Sequence, residues 1–144
     1  MTTPLEKVQA TLRGELPPVM NTIGGFRVIS IEPGRAVFDF EASDRHHNPM
    51  GTLHGGILCD VADAAMGIAY VARLEHGESF TPLELKINFL KPVRRGRLRA
   101  EARVVKGGRT VGLVECDVVD AEGSLVARAS STCMTLRGEA ATGR

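Results

Sequence analysis

The sequence predicts an α+β fold in which a curved antiparallel sheet wraps around one long central helix. Two observations carry that prediction. A segment from about Gly55 to about Leu74 is apolar almost all round, the pattern of a helix enclosed by other structure. After it the apolar period changes to two, and the strands so defined are joined by turns too short for parallel neighbours.

Each element has its own signal. Pro4 to Leu16 places Leu5, Val8, Leu12 and Leu16 on one face of a short amphipathic helix, which Pro17-Pro18 is expected to stop. Phe26 to Ile31 reads as a strand and Pro33-Gly34 as a turn. In the strand Ala36 to Ala42, residues Ala36, Phe38, Phe40 and Ala42 point one way and Asp39 and Glu41 the other. Ser43 to Leu53 is polar and turn-rich. The long helix follows, its end marked by His76-Gly77. Thr81, Leu83, Leu85, Ile87 and Phe89 then alternate with Glu84, Lys86 and Asn88, and Leu98 to Val104 alternate in the same way. Val111 to Val119 and Leu125 to Leu136 complete four later strands, with hairpin turns at 106–109 and 120–123.

Length and composition bound the function. The 144 residues suit one domain, read as a helix over 1–16, a core over 17–137 and a tail over 138–144. A net charge of +1 disfavours a globally basic nucleic-acid binder. Nine of the 18 basic residues nevertheless fall between Lys86 and Arg109, opposed there only by Glu101. That stretch reads equally as a solvated sheet face or as a local anion site. Ile57 to Leu74 is interrupted by Asp60, Asp63 and Arg73, so a buried helix is expected rather than a membrane span. Cys59, Cys116 and Cys133 are odd in number and widely spaced, which argues against disulfides and structural zinc. With no signal peptide visible, a reducing cytoplasmic location is expected.

The chemistry concentrates around the start of the long helix. Gly55 and Gly56 leave the backbone open to close approach. The first helical turn offers unpaired N–H groups and the positive end of the macrodipole, which can stabilise an oxyanion; a merely flexible helix start is the bland alternative. Asp60 and Asp63 share a helix face. Helix electrostatics suffice to explain Asp60. Asp63 lies among Val61, Ala62, Ala64 and Ala65, where a carboxylate is costly to bury, and is a candidate base or nucleophile. His46-His47 lacks a third ligand at metal-binding spacing and reads as a pair of polar residues on the surface. His54 could cap the helix or position a substrate.

These residues carry a family resemblance. The run Asn48-x-x-Gly51-x-x-His54-Gly55-Gly56, then Asp63, then Glu84-Leu85-x-Ile87-Asn88-Phe89-Leu90-x-Pro92, resembles the phenylacetate-degradation-type (PaaI-like) thioesterases, to which the 4-hydroxybenzoyl-CoA thioesterases are related. The resemblance runs from about Pro17 to Leu136. It implies a hotdog fold, a homodimer or dimer-of-dimers homotetramer, and hydrolysis of an acyl- or aryl-CoA with neither cofactor nor metal. It also implies that the Gly55 N–H faces the thioester oxygen and that Asp63, from across the dimer interface, acts as general base or nucleophile. Asn48 matches a group holding water or thioester, and His54 a supporting group near the carbonyl. Gly56 would lie against the substrate, and Arg94, Arg95 and Arg109 are candidates for the CoA phosphates. Two positions depart from the pattern. Gly67 stands where related enzymes place a hydroxyl, and Pro82 where some have Ser or Thr. A non-catalytic acyl-CoA-binding module and a hotdog hydratase or dehydratase are the alternatives.

Overall fold

The computed structural model describes residues 2–143. The elements are α1 (Pro4–Gln9), α2 (Pro18–Ile23), β1 (Phe26–Glu32), β2 (Arg35–Ala42), α3 (Gly55–Val71), β3 (Ser79–Phe89), β4 (Gly96–Gly107), β5 (Val111–Asp120) and β6 (Leu125–Leu136). The six strands form one sheet in the order β1-β2-β4-β5-β6-β3, and each neighbouring pair is antiparallel. β3 follows α3 in sequence but lands at the far edge, so β1 and β3 are the two edges. This is the hotdog arrangement, a sheet packed against a helix and not closed into a barrel.

The core lies between sheet and helix. Val61, Ala62, Ala65, Met66, Ala69 and Tyr70 of α3 are buried against Phe38 and Phe40 of β2, Leu98 and Ala100 of β4, and Val114, Cys116 and Val118 of β5. Alanine at three of those helix positions lets the backbone approach the sheet closely. The large side chains Phe38, Phe40 and Tyr70 fill the remaining space, each stabilising the fold by roughly 1.5–3 kcal/mol. The Tyr70 hydroxyl, which would be costly to bury alone, shares a 2.7 Å hydrogen bond with Thr135 Oγ1.

Several expectations are corrected. The N-terminal helix is shorter than expected: α1 ends at Gln9, a 3₁₀ turn covers Ala10–Arg13, and Gly14 closes it at φ +86°. Leu12 is therefore exposed, because 3₁₀ winding moves it off the expected apolar face. Pro17-Pro18 does not only stop a helix but starts one, since Pro18 at the first helical position has its φ already set and needs no N–H partner. α3 ends at Val71, three residues before the expected Leu74, and Gly77 belongs to the following turn. Alternation in β3 breaks at a register shift between Pro82 and Glu84, which turns Leu83 outward. Asp39 does face away from its apolar neighbours but is buried, under a bidentate bond from Arg99 at 2.8 and 3.2 Å. His46 is not on the surface. It is buried, accepts from Ser43 N–H through Nδ1 at 3.1 Å, and donates from Nε2 to Ile23 O at 2.9 Å.

The cysteines are free; Cys116 and Cys133 are buried, and Cys59 is partly exposed. Burial pushes the Cys116 thiol up to about 12. No helix among the described residues is long and apolar enough to cross a membrane.

Candidate active site

The start of α3 is held open by its own cap. His54 is extended, and its Nδ1 accepts from Gly56 N–H at 2.9 Å, which makes it the N-cap. Ile57 and Leu58 turn back onto His54 O. Gly55 N–H has no acceptor among the described residues. It sits beside a cavity of about 360 Å³ lined by Asn48, Thr52, Gly55, Leu58, Phe89 and Val93, among others. The Phe89 ring lies over Gly55 so closely that a Cβ there would meet it at 3.0 Å. Phe89 was legible as a strand residue and as one position of the resemblance; its place over the glycine is a tertiary fact.

Asn48 braces the loop that leads into the helix. Its Oδ1 accepts from Met50 N–H at 3.0 Å and Thr52 N–H at 3.1 Å, and its Nδ2 donates to Thr52 Oγ1 at 2.9 Å. These bonds fix the amide orientation and leave one N–H of Nδ2 for a water or substrate.

Asp63 lies elsewhere. Eight residues beyond Gly55, it is about 12 Å along the helix and about 80° around it. It lines a different cavity, with Asp60 and with α2. The side chain is exposed in the single chain, yet the protein around its carboxyl is enough that desolvation, followed by the charge of Asp60, holds its pKa above the ordinary carboxylate value. α2 itself escaped the sequence reading, and with it the wall that Val19, Met20 and Ile23 contribute beside Asp63.

Five of the nine cations of the basic stretch are paired with carboxylates. Arg95 holds Asp44 through two bonds at 2.7 and 2.8 Å. Lys91 pairs with Asp120 at 2.6 Å, Arg97 and Arg99 with Asp39, and Arg103 with Glu115. Arg94 reaches only the Gly51 carbonyl, at 3.3 Å. Arg109 lies at the other end of α3, lining a cleft with Arg73 and Arg137. One chain thus brings Asn48, Gly55, Gly56 and His54 together, with Arg94 and Arg95 flanking their loop, and leaves Asp63 and Arg109 apart from them. Among the described residues no group of three His, Cys, Asp or Glu side chains could hold a metal.

A hotdog sheet, a helix start with a free N–H and a helix carboxylate define a thioester-hydrolase scaffold. The model of the thioesterase superfamily matches residues 50–127, and the chain belongs to that family. It is 37% identical over 111 residues to a Saccharolobus solfataricus protein assigned as an esterase, covering 77% of this chain and 79% of that one. It is 30% identical over 96 residues to the 1,4-dihydroxy-2-naphthoyl-CoA hydrolase of Listeria monocytogenes, covering 67% and 78%. The crystal structure of a phenylacetic acid degradation-related protein from Ralstonia eutropha JMP134 superposes with a TM-score of 0.78 at 36% identity, covering 88% of this chain and 98% of that one.

Proposed function

We propose that this chain hydrolyses an acyl-CoA thioester at sites shared between two protomers, Gly55 from one and Asp63 from the other. The observation that supports this most directly is the separation of the two groups into different cavities of one chain. A carbonyl held at Gly55 N–H lies out of reach of the same chain's carboxylate, so a second copy must supply it. Two uncovered surfaces favour that copy. One is the face of α3 that carries Gly56, Asp60 and Asp63. The other is the edge strand β3 and the chain just after it, where Leu83, Phe89 and Leu90 are 54%, 54% and 56% exposed. Unpaired edges with apolar side chains need covering. A homodimer, alone or paired into a homotetramer, does so.

The chemistry follows from the groups. Gly55 N–H and the helix dipole bind the thioester oxygen and the oxyanion that forms from it. Asp63, ionised, takes a proton from water as the water oxygen attacks the carbonyl carbon. The tetrahedral intermediate then expels the CoA thiolate, which recovers the proton, leaving free acid and CoA. Direct attack by Asp63 forms an anhydride and gives the same products; opening of that anhydride by water at the Asp63 carbonyl puts ¹⁸O into the protein in a single turnover in labelled water, which the general-base route never does. Asn48 holds water or thioester with its spare N–H, and His54 keeps the helix start in shape. Arg94 and Arg109 are better placed than the paired Arg95 to meet CoA phosphates. Three free thiols favour a reducing compartment, the cytoplasm.

The decisive experiment mixes two dead variants. Gly55→Pro removes the N–H at a position where proline suits a helix, and His54 already has the extended conformation that must precede proline; the ring it adds meets the far end of Phe89, a 54% exposed side chain free to swing aside. Asp63→Asn removes the charge. Each alone should release no CoA from acyl-CoA above ~1% of wild type. Random re-pairing of the two should restore about a quarter of wild-type activity, because one site of each mixed dimer is intact. A mixture as inactive as its components would refute the shared site. Turnover by either variant alone would remove its residue from the mechanism.

A further inference from the structure

Gly67 lies inside the 17-residue helix α3, one turn beyond Asp63 on the same face. Glycine is the poorest helix former after proline, so an interior one calls for a reason. The backbone gives none, since its φ is not positive. Packing gives none either: an added Cβ would meet only Phe80 Cζ, at 3.4 Å, an ordinary contact. What the missing side chain leaves is space. Gly67 lines an apolar cavity of about 310 Å³ that Asp63 also borders. Val19, Met20 and Ile23 of α2 form one wall, with Ile68, Val71 and Phe80 among the others. Val19 is 59% exposed, an apolar side chain left in solvent at the cavity wall.

We infer that this cavity receives the acyl group of the substrate, that Gly67 and Val19 set its depth, and that the acyl group is an unsubstituted hydrocarbon. The inference rests on the thioesterase reading and deepens it. A bond attacked beside Asp63 has its acyl side next to the carboxylate, and the adjoining space is this one. A volume of about 310 Å³ is at the small end of the range for small-molecule sites and suits a compact or medium-length acyl group rather than a long chain. That admits a medium-chain fatty acyl group or a phenylacetyl group. Among the described residues, Asp60 and Asp63 bring the only polar side chains to the lining. A ring hydroxyl placed deep in it would lack a partner.

The test measures CoA release from acetyl-, hexanoyl-, octanoyl-, phenylacetyl- and 4-hydroxyphenylacetyl-CoA by wild type and by Gly67→Leu and Val19→Phe, which fill the cavity from opposite walls. In wild type, kcat/KM should rise at least ~100-fold from acetyl to octanoyl, and phenylacetyl should exceed its hydroxylated analogue by ~10-fold or more. Both variants should lower the octanoyl-to-acetyl ratio by at least ~10-fold. Unchanged ratios in folded variants, or a preference for the hydroxylated ring, would overturn the inference. Should Gly67→Leu fail to fold, Val19→Phe decides alone, because that position is exposed. Binding of a non-hydrolysable octanoyl-CoA thioether separates the two levels. If wild type binds it and Val19→Phe does not, the cavity stands even where hydrolysis is absent and the thioesterase reading falls. If both bind it equally, the cavity assignment falls whatever the activity.

Discussion

The two faces of α3 follow opposite rules. The face toward the sheet carries Val61, Ala62, Ala65, Met66, Ala69 and Tyr70, all buried, with its one hydroxyl paired to Thr135. The open face carries Gly56, Cys59, Asp60, Asp63 and Gly67, small or charged, with a carboxylate whose pKa is raised rather than satisfied. Seventeen residues of one helix thus divide into a side that stabilises the protein and a side that leaves it incomplete. The lesson is that a carboxylate on an apolar helix becomes reactive only where packing stops short of enclosing it. On the sheet side it would be neutralised or expelled.

Damage to each face in turn should have opposite consequences. Tyr70→Ala should cost about 3–5 kcal/mol of stability, read as a lower midpoint in denaturant, because it leaves both a cavity and an unpaired Thr135 hydroxyl. Asp63→Asn should do the reverse. It should lower kcat ~100-fold or more, equivalent to about 2.7 kcal/mol in the barrier, with fold and acyl-CoA binding retained. If Asp63→Asn unfolds the protein, or Tyr70→Ala selectively kills turnover in a folded enzyme, the two faces are not separate.

Smaller effects sharpen the contrast between the faces. Tyr70→Phe keeps the ring and deletes one buried hydrogen bond, and should cost ~1 kcal/mol with activity unchanged. Asp60→Asn tests the raised carboxyl. Asp63 must be ionised to act as a base, so kcat/KM should fall on an acid limb lying above the ordinary carboxylate range. Desolvation is the first cause of the shift and Asp60 the second, so removing the Asp60 charge should move that limb to lower pH without abolishing it. A limb that stays in place in Asp60→Asn would detach the neighbouring charge from the chemistry.

Stability linkage gives the faintest signal. A carboxyl with a raised folded pKa binds its proton more tightly folded than unfolded, so its contribution is present at low pH and lost as pH rises through the folded value. Asp63→Asn should therefore raise Tm slightly near pH 7, and the gain should vanish in acid. A gain that persists at pH 3 would place its cause outside the charge.

How much of this was legible varied with the kind of signal. The helix and the strands showed because periodicity records which side of an element is buried. Asp63 stood out by its contrast with apolar neighbours, and Gly55 by its place at a helix start. The 18–23 helix did not show, because Pro17-Pro18 reads as a stop when followed by a segment too short for a clear period. The β3 bulge escaped because Leu83 fits the alternation that the register shift then breaks. His46 was misread because its burial depends on the bond from Nε2 to Ile23 O, 23 residues away, and only its bond from Ser43 N–H is local.

The α+β class, the central helix and the small set of groups able to act on a thioester were legible from the residues alone, since these depend on local pattern and residue chemistry. Tertiary structure alone decided which of those groups meet. It placed Asn48 and Gly55 in one cavity and Asp63 in another, and it gave five cations of the basic stretch to acidic partners. The physical reason is that such distances and pairings join residues far apart in the chain, and no local periodicity encodes them.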